Sequence, residues 1–203
     1  AASDNGWVAS GSESQTVTVG KDQTETFTIT MDVSHVAAGI VDHWSASVVA
    51  GNDDTQTNSH EGETTVASVS GVSVTIGTNS GSALPGSSVS YSFVITNTGN
   101  ADEAFEYTTS SENTWGIGSG DGITSPLAMG ASETITVVHT VSESASSGVS
   151  DTITFDAAGG FPNGASRTAT TTAEQTYGVS ITLGTSDLPL TLNPGDSFTT
   201  SYT

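Results

Sequence analysis

Four histidines are the first residues in this chain whose chemistry could support catalysis or zinc binding. They stand at His35, His43, His60 and His139, and their spacing matches neither H-E-x-x-H nor another zinc-ligand pattern. The chain also lacks a G-x-S-x-G elbow, a phosphate-binding loop and any cysteine nucleophile. The sequence therefore predicts a protein that is not an enzyme.

The stretch "GNDDTQTNSHEGE" at 51–63 is the second place where chemistry could reside. It gathers hard oxygen ligands of the kind that calcium prefers, namely Asn52, Asp53, Asp54, Glu61 and Glu63. Their spacing does not match an EF-hand, and the corresponding loop "GGFPNGASR" at 159–167 has no acidic residue. We interpret 51–63 as a solvated acidic hairpin, with a weak calcium site as the alternative.

Charge restricts the partners that such a chain can have. Across 203 residues, 22 Asp and Glu residues face only Lys21 and Arg167, which gives a formal charge of -20. Nucleic acids and anionic lipids both require clustered basic residues, so neither is expected as a partner. The apolar run "VAAGIV" at 36–41 is far shorter than the roughly 20 residues of a membrane-spanning helix. We therefore expect no membrane insertion.

Apolar residues alternate with Ser and Thr along most of the chain, which is the pattern of half-buried strands. In "SVSYSFVI", Val89, Tyr91 and Phe93 are predicted to point one way, with serines on the other face. No stretch has the periodicity of a stable helix. The predicted strands include 16–20, 24–33, 88–99, 132–141 and 150–157. We expect the "NTGN" stretch at 97–100 to join 88–96 to 103–109 as a hairpin.

The sequence repeats itself. Trp7 and Trp115 are 108 positions apart, Gly20 and Gly130 are 110 apart, Gly39 and Gly148 are 109 apart, and "GVSVTIG" at 71 returns as "GVSITLG" 107 positions later. A unit of this length fits a β-sandwich of about seven strands. We predict an all-β chain of tandem antiparallel sandwiches. The complete unit spans 71–177, the C-terminal part of another spans 1–70, and the first strands of a third span 178–203.

Aromatic residues are expected mainly in the interior. Trp7 and Trp115 recur at one position of the repeat, which packing explains, and Tyr91 and Phe93 lie on a predicted dry face. These four are the predicted core anchors. Trp44 and Tyr107 are the candidates for a more exposed platform that could stack against a sugar.

The complete unit resembles a known group of modules in its turns. These are "PGSSVSYSFVITNTGNADEAFEY", then Trp115, "LAMGASETITVVHTV" and "ASSG". They are similar to the Ig-like modules of the bacterial cell-adhesion-related domain and of the accessory domain associated with alpha-galactosidases. The resemblance implies Ig-like sandwiches in tandem, an extracellular or cell-surface location, roles as spacers or in adhesion, and no active site.

The two partial units are complementary, since a sandwich without its first strands exposes apolar side chains and unpaired backbone. We therefore expect 178–203 to act as a donor segment that completes residues 1–70 of the next copy and so builds a filament. Its apolar residues are Val179, Ile181, Leu183, Phe198 and Tyr202. A second interpretation is an excerpt of a longer covalent array. The rival function is a carbohydrate-binding or adhesive accessory module, with a polysaccharide as its partner.

Overall fold

The computed structural model describes residues 1–160, 164–179 and 194–195 of the chain. This part is all-β, as predicted, and it contains no helix that could span a membrane. Its strands, in chain order, are β1 (Ala2–Ser3), β2 (Val41–Ala50), β3 (Asp53–Thr65), β4 (Val72–Ile76), β5 (Ser80–Ala83), β6 (Ser88–Asn97), β7 (Glu106–Ser111), β8 (Gly116–Gly118), β9 (Gly122–Ile123), β10 (Ser132–Thr140), β11 (Ser150–Ala158) and β12 (Gly164–Ala173).

Strands β4 to β12 build a β-sandwich, which we call the second unit. One sheet has the order β4-β6-β10-β8, and the other has the order β5-β12-β11-β7-β9. All neighbours are antiparallel except β5 and β12, which run parallel. Because β8 and β9 are only two or three residues long, seven strands carry the sandwich, which agrees with the size of the repeat.

The core of the second unit follows from side-chain alternation. Along β6, Tyr91, Phe93 and Ile95 are buried whereas the intervening serines are exposed. Phe93 stacks on Phe155 of the facing sheet with ring centroids 4.4 Å apart, and Tyr107 stacks on the same ring at 5.5 Å. The Tyr91 hydroxyl donates a hydrogen bond to the Thr170 carbonyl oxygen at 2.8 Å, so the polar end of this side chain is satisfied.

The predicted hairpin across "NTGN" is wrong. Strand β6 pairs with β4 and β10, whereas β7 pairs with β11 and β9 in the other sheet. The turn at 97–100 therefore carries the chain from one sheet to the other. The Asn97 side chain supports this crossing by donating hydrogen bonds to the carbonyl oxygens of Ala101, at 2.8 Å, and Leu127, at 2.7 Å.

Residues 1–70, which we call the first unit, form a much smaller sheet. It has three strands in the order β1-β2-β3, dominated by the long β2–β3 hairpin. Of the predicted strands, 88–99, 132–141 and 150–157 are confirmed as β6, β10 and β11. The strands predicted at 16–20 and 24–33 are wrong, since neither segment forms a strand ladder. Within the described residues, the only β-bridge of either segment is the isolated one between Val8 and Met31.

The missing ladder has a physical cause. Residues 25–34 match 133–142, which cover most of β10, and β10 forms its long ladder with β6. Residues 1–70 contain no counterpart of β6. Alternation places the apolar side chains on one face, but a strand is formed only when a neighbour satisfies its backbone groups. The segment 24–33 therefore forms no ladder, and its backbone is hydrogen-bonded only at scattered positions, to residues 7–15.

Candidate functional site

The candidate site is an open, apolar face of the first unit. It is a shallow apolar groove lined by Phe27, Ile29, Met31 and Trp44, together with Thr28, Glu63 and Thr64. The Phe27 side chain is 40% exposed, whereas its counterpart in the second unit, Ile135, is buried beneath β6. In the second unit, the counterparts of Phe27, Ile29 and Met31 lie on β10, which pairs with β6.

Asp42 is a second sign that the interior of the first unit is incomplete. Its side chain is completely buried, and its Oδ1 accepts a hydrogen bond from the Asn5 backbone N–H at 2.7 Å. Its Oδ2 is buried without a hydrogen-bond partner among the described residues. An unsatisfied buried oxygen costs on the order of 1–3 kcal/mol. The first unit by itself is therefore under-satisfied as well as under-packed.

The equivalent carboxylate in the second unit, Asp151, is fully satisfied. It accepts hydrogen bonds from the Ser111 hydroxyl and from the Asn113 backbone N–H at 2.7 Å. It accepts a third from His139 Nε2, which lies 2.9 Å away. Burial by itself would raise the pKa of Asp151. The hydrogen bonds from Ser111, Asn113 and His139, and the attraction of His139, outweigh that effect and lower it below its ordinary value. In the first unit, Met31 stands at the position of His139.

His139 links Asp151 to a hydroxyl, as the histidine of a catalytic triad does. Its Nδ1 lies 2.8 Å from Thr171 Oγ1. All three side chains are completely buried, and Trp115 packs beside the imidazole at 5.6 Å. No substrate could reach the Thr171 hydroxyl, so the arrangement is a structural polar network. Sequence reasoning missed it, although alternation places His139, Asp151 and Thr171 on the dry faces of their strands.

The acidic candidates for calcium are spread along β3. Asp53 and Asp54 begin the strand whereas Glu61 and Glu63 lie in its second half, about 25 Å away at strand rise. Hydrogen bonds from the Thr55 hydroxyl, at 2.6 Å, and backbone N–H, at 3.1 Å, lower the pKa of Asp53. In the described part of the chain, no group of three or more acidic or histidine side chains is arranged to hold a metal ion.

The aromatic candidates occupy separate places. Trp7, Trp115, Tyr91 and Phe93 are all buried. Trp44 is half-buried and lies across Gly62, its partner on β3, and Tyr107 lies across Gly122 of β9 in the same way. A side chain at either glycine would collide with the aromatic ring. Trp44 and Tyr107 belong to different units, so they do not form one sugar-stacking platform.

The "NTGN" turn has a second task, which is to hold the segment that joins the two units. Asn100 Oδ1 accepts a hydrogen bond from the Val69 N–H at 2.7 Å, and its Nδ2 donates to the Ala67 carbonyl oxygen at 3.0 Å. Its own carbonyl oxygen accepts from the Ala38 N–H at 2.8 Å. One nearly buried side chain thus fixes the linker, and its backbone contacts the first unit.

Replacing Asn100 with alanine is expected to loosen this junction by about 1–3 kcal/mol, because the Val69 N–H and Ala67 carbonyl lose their partner. Amide hydrogen exchange at Val69 should accelerate accordingly, while exchange in β6 and β11 stays unchanged. Asn58→Ala, at an exposed position of β3, is the control. Unaltered exchange at Val69 in the Asn100 variant would show that another contact holds the linker.

Most of the predicted donor segment lies outside the described residues, including Ile181, Leu183, Phe198 and Tyr202. Val179 is described and is 95% exposed. Pro194 and Gly195 are also described. Gly195 has a φ of +103°, and Gly86, which follows Pro85 in the turn before β6, has a φ of +81°. This left-handed conformation favours glycine. Both Pro-Gly pairs therefore contain a glycine in the same kind of backbone turn.

Comparisons with known proteins find similarity in structure but not in sequence. No protein-family model matches it, and no curated protein has a significantly similar sequence. Among solved structures, a C. elegans member of the MSP family has 10% identity and a TM-score of 0.32, covering 49% of this chain and 96% of its own. The PapD-like domain 7 of human CEP192 has 9% identity and a TM-score of 0.34, covering 51% of this chain and 87% of its own.

Proposed function

We propose that this chain is a non-enzymatic structural protein that forms an extracellular filament or surface array of head-to-tail Ig-like β-sandwiches, each completed by strand addition from its neighbour. The observation that carries the proposal is the segment 24–33, which forms no strand ladder and has only scattered hydrogen bonds, to residues 7–15. Its apolar side chains Phe27, Ile29 and Met31 line an open groove, whereas their counterparts on β10 of the second unit pair with β6.

Residues 178–203 contain a segment that could fill this groove as a donor strand. Residues 178–184 repeat the sequence around β4, and "PGDSF" at 194–198 repeats the turn that leads into β6. Strand addition to an exposed sheet edge is a general mode of recognition, because backbone hydrogen bonds supply affinity and alternate side chains supply specificity. The donor and the groove are different surfaces of one chain, so the contact is heterologous and propagates unless it closes into a ring.

Two further features suit a structural array. The hydrogen bonds of the Asn100 side chain to Val69 and Ala67 restrain the linker between the two units, which favours a stiff array over a flexible one. The net charge of -20 makes neighbouring arrays repel each other, which opposes lateral aggregation by exposed strand edges.

Removing residues 178–203 is expected to abolish growth of the purified protein, because it deletes the donor while leaving the groove. Light scattering and electron microscopy would follow the 203-residue chain, the truncated chain, and a control in which a Gly/Ser tail of equal length replaces 178–203. We expect polymers from the first protein alone. Equal growth of all three would contradict strand addition, and a monomeric full chain would favour an excerpt of a longer covalent array.

A carbohydrate-binding accessory module is the second candidate, favoured by one observation. A groove beside Trp44 is also lined by Asp4, His43, Glu61 and Glu63, so an aromatic ring lies next to polar groups. This function would appear as saturable binding of a polysaccharide that weakens in Trp44→Ala and is unaffected by deletion of 178–203.

A further inference from the structure

We propose that residues 197–203 of a second copy take the place of β6 beside residues 26–32 in one fixed register, with Tyr202 opposite Phe27, Thr200 opposite Ile29 and Phe198 opposite Met31. The inference rests on the proposed function and deepens it, because it names the segment that binds and the partner of each inward residue.

The second unit supplies the template. Its antiparallel ladder places Phe93 opposite Ile135, Tyr91 opposite Val137 and Val89 opposite His139. Five of these six side chains are buried and Val89 is half-buried, so this face of the ladder is the dry one.

The repeat transfers this register to the first unit. Residues 25–34 align with 133–142 without a gap, which assigns Phe27, Ile29 and Met31 to the inward positions of β10. On the donor side, Pro194-Gly195 aligns with Pro85-Gly86, and both glycines have a positive φ. Counting onward from this turn assigns Phe198, Thr200 and Tyr202 to the inward positions of β6.

Side-chain chemistry favours this register over its neighbours. A slip by one residue would turn the donor aromatics to solvent. A slip by two in one direction would place Tyr202 opposite Glu25 and Asp196 opposite Met31. The opposite slip would move Phe198 away from Met31 and place it opposite Val33, which does not line the groove. Among these registers, only the proposed one places both donor aromatics, Phe198 and Tyr202, opposite apolar residues that line the groove.

The chain has no cysteine, so engineered disulfides can test the register without background. One chain would carry Thr30→Cys and another Thr199→Cys, which are directly opposite in the register and on its solvent face. Opposite residues of an antiparallel pair have Cα atoms about 4.5–5.5 Å apart, within the reach of a disulfide. The control mixture pairs Thr28→Cys with Thr199→Cys, a diagonal pair about 7–8 Å apart and beyond that reach.

The mixtures would be oxidised at about 1 M salt, where the Debye length falls to about 3 Å and the repulsion between two acidic chains is screened. We expect a disulfide-linked pair of chains from Thr30→Cys with Thr199→Cys, and its loss in the control mixture. Polymer growth with the opposite preference would overturn the register but leave strand addition standing. If the reduced chains neither grow nor cross-link, the proposed function fails together with the register.

Discussion

Alanine at position 155 is expected to lower the free energy of unfolding of the second unit by about 3–5 kcal/mol. Phe155 is completely buried and its ring stacks with two aromatic partners, Phe93 at 4.4 Å and Tyr107 at 5.5 Å. Truncation would remove both stacking contacts and leave a cavity between the two sheets. Urea unfolding combined with peptide-resolved hydrogen exchange would measure the loss in β6, β7 and β11.

The matched control is Phe27→Ala in the chain truncated after residue 177, where no donor segment is present. Phe27 is the same residue type but 40% exposed, so its loss should cost well under half as much. A cost below about 1 kcal/mol for Phe155→Ala would contradict the packing of the sandwich described here, because a buried aromatic cannot be removed from a filled core so cheaply.

Replacing Asp151 with alanine is expected to destabilise the second unit by about 3–5 kcal/mol, as in other cases where one partner of a buried pair is removed. The substitution would leave the completely buried His139 without this partner, together with the half-buried Ser111 hydroxyl and the Asn113 N–H. Asp156→Ala is the matched control, because Asp156 lies on the exposed face of the same strand. That variant should differ from the parent by no more than about 0.5 kcal/mol.

The pH dependence provides a readout that a loss of packing would not reproduce. The pKa of Asp151 is lower in the folded protein than the ordinary value of about 3.9. Its contribution to stability is therefore present above pH of about 4 and is lost as the pH falls through the folded pKa. Asp151→Asn should remove this part of the acid destabilisation relative to Asp156→Asn. If both amide variants show the same pH profile, the ionised carboxylate of Asp151 does not stabilise the fold.

Much of the fold could be predicted because alternation indicates which face of a strand is dry. It succeeded for β6, β10 and β11, where each strand has neighbours within the same unit. It failed for 24–33, whose pattern matches that of β10, because alternation does not reveal whether a partner strand is at hand. The "NTGN" hairpin failed for a related reason, since a turn motif fixes local backbone geometry but not the sheet to which the next strand belongs.

The polar interior was the harder part to predict. His139, Asp151 and Thr171 are separated in sequence and match no spacing motif, so only their shared position on dry faces could have indicated a network. The orphan oxygen of Asp42 was beyond prediction for another reason. The sequence shows Met31 at the position of His139, but only the structure shows that His139 is a hydrogen-bond partner of Asp151, the counterpart of Asp42.

The parallel pairing of β5 with β12 has a mechanical consequence. These strands lie near the two ends of the second unit, and Ser80 to Ala83 pair in register with Thr170 to Ala173. Tension applied between the two ends would pull parallel neighbours in opposite directions along their length. The hydrogen bonds between β5 and β12 would then be loaded simultaneously in shear, rather than broken one after another as in unzipping. A unit in a stretched array would therefore resist extension until these hydrogen bonds break together.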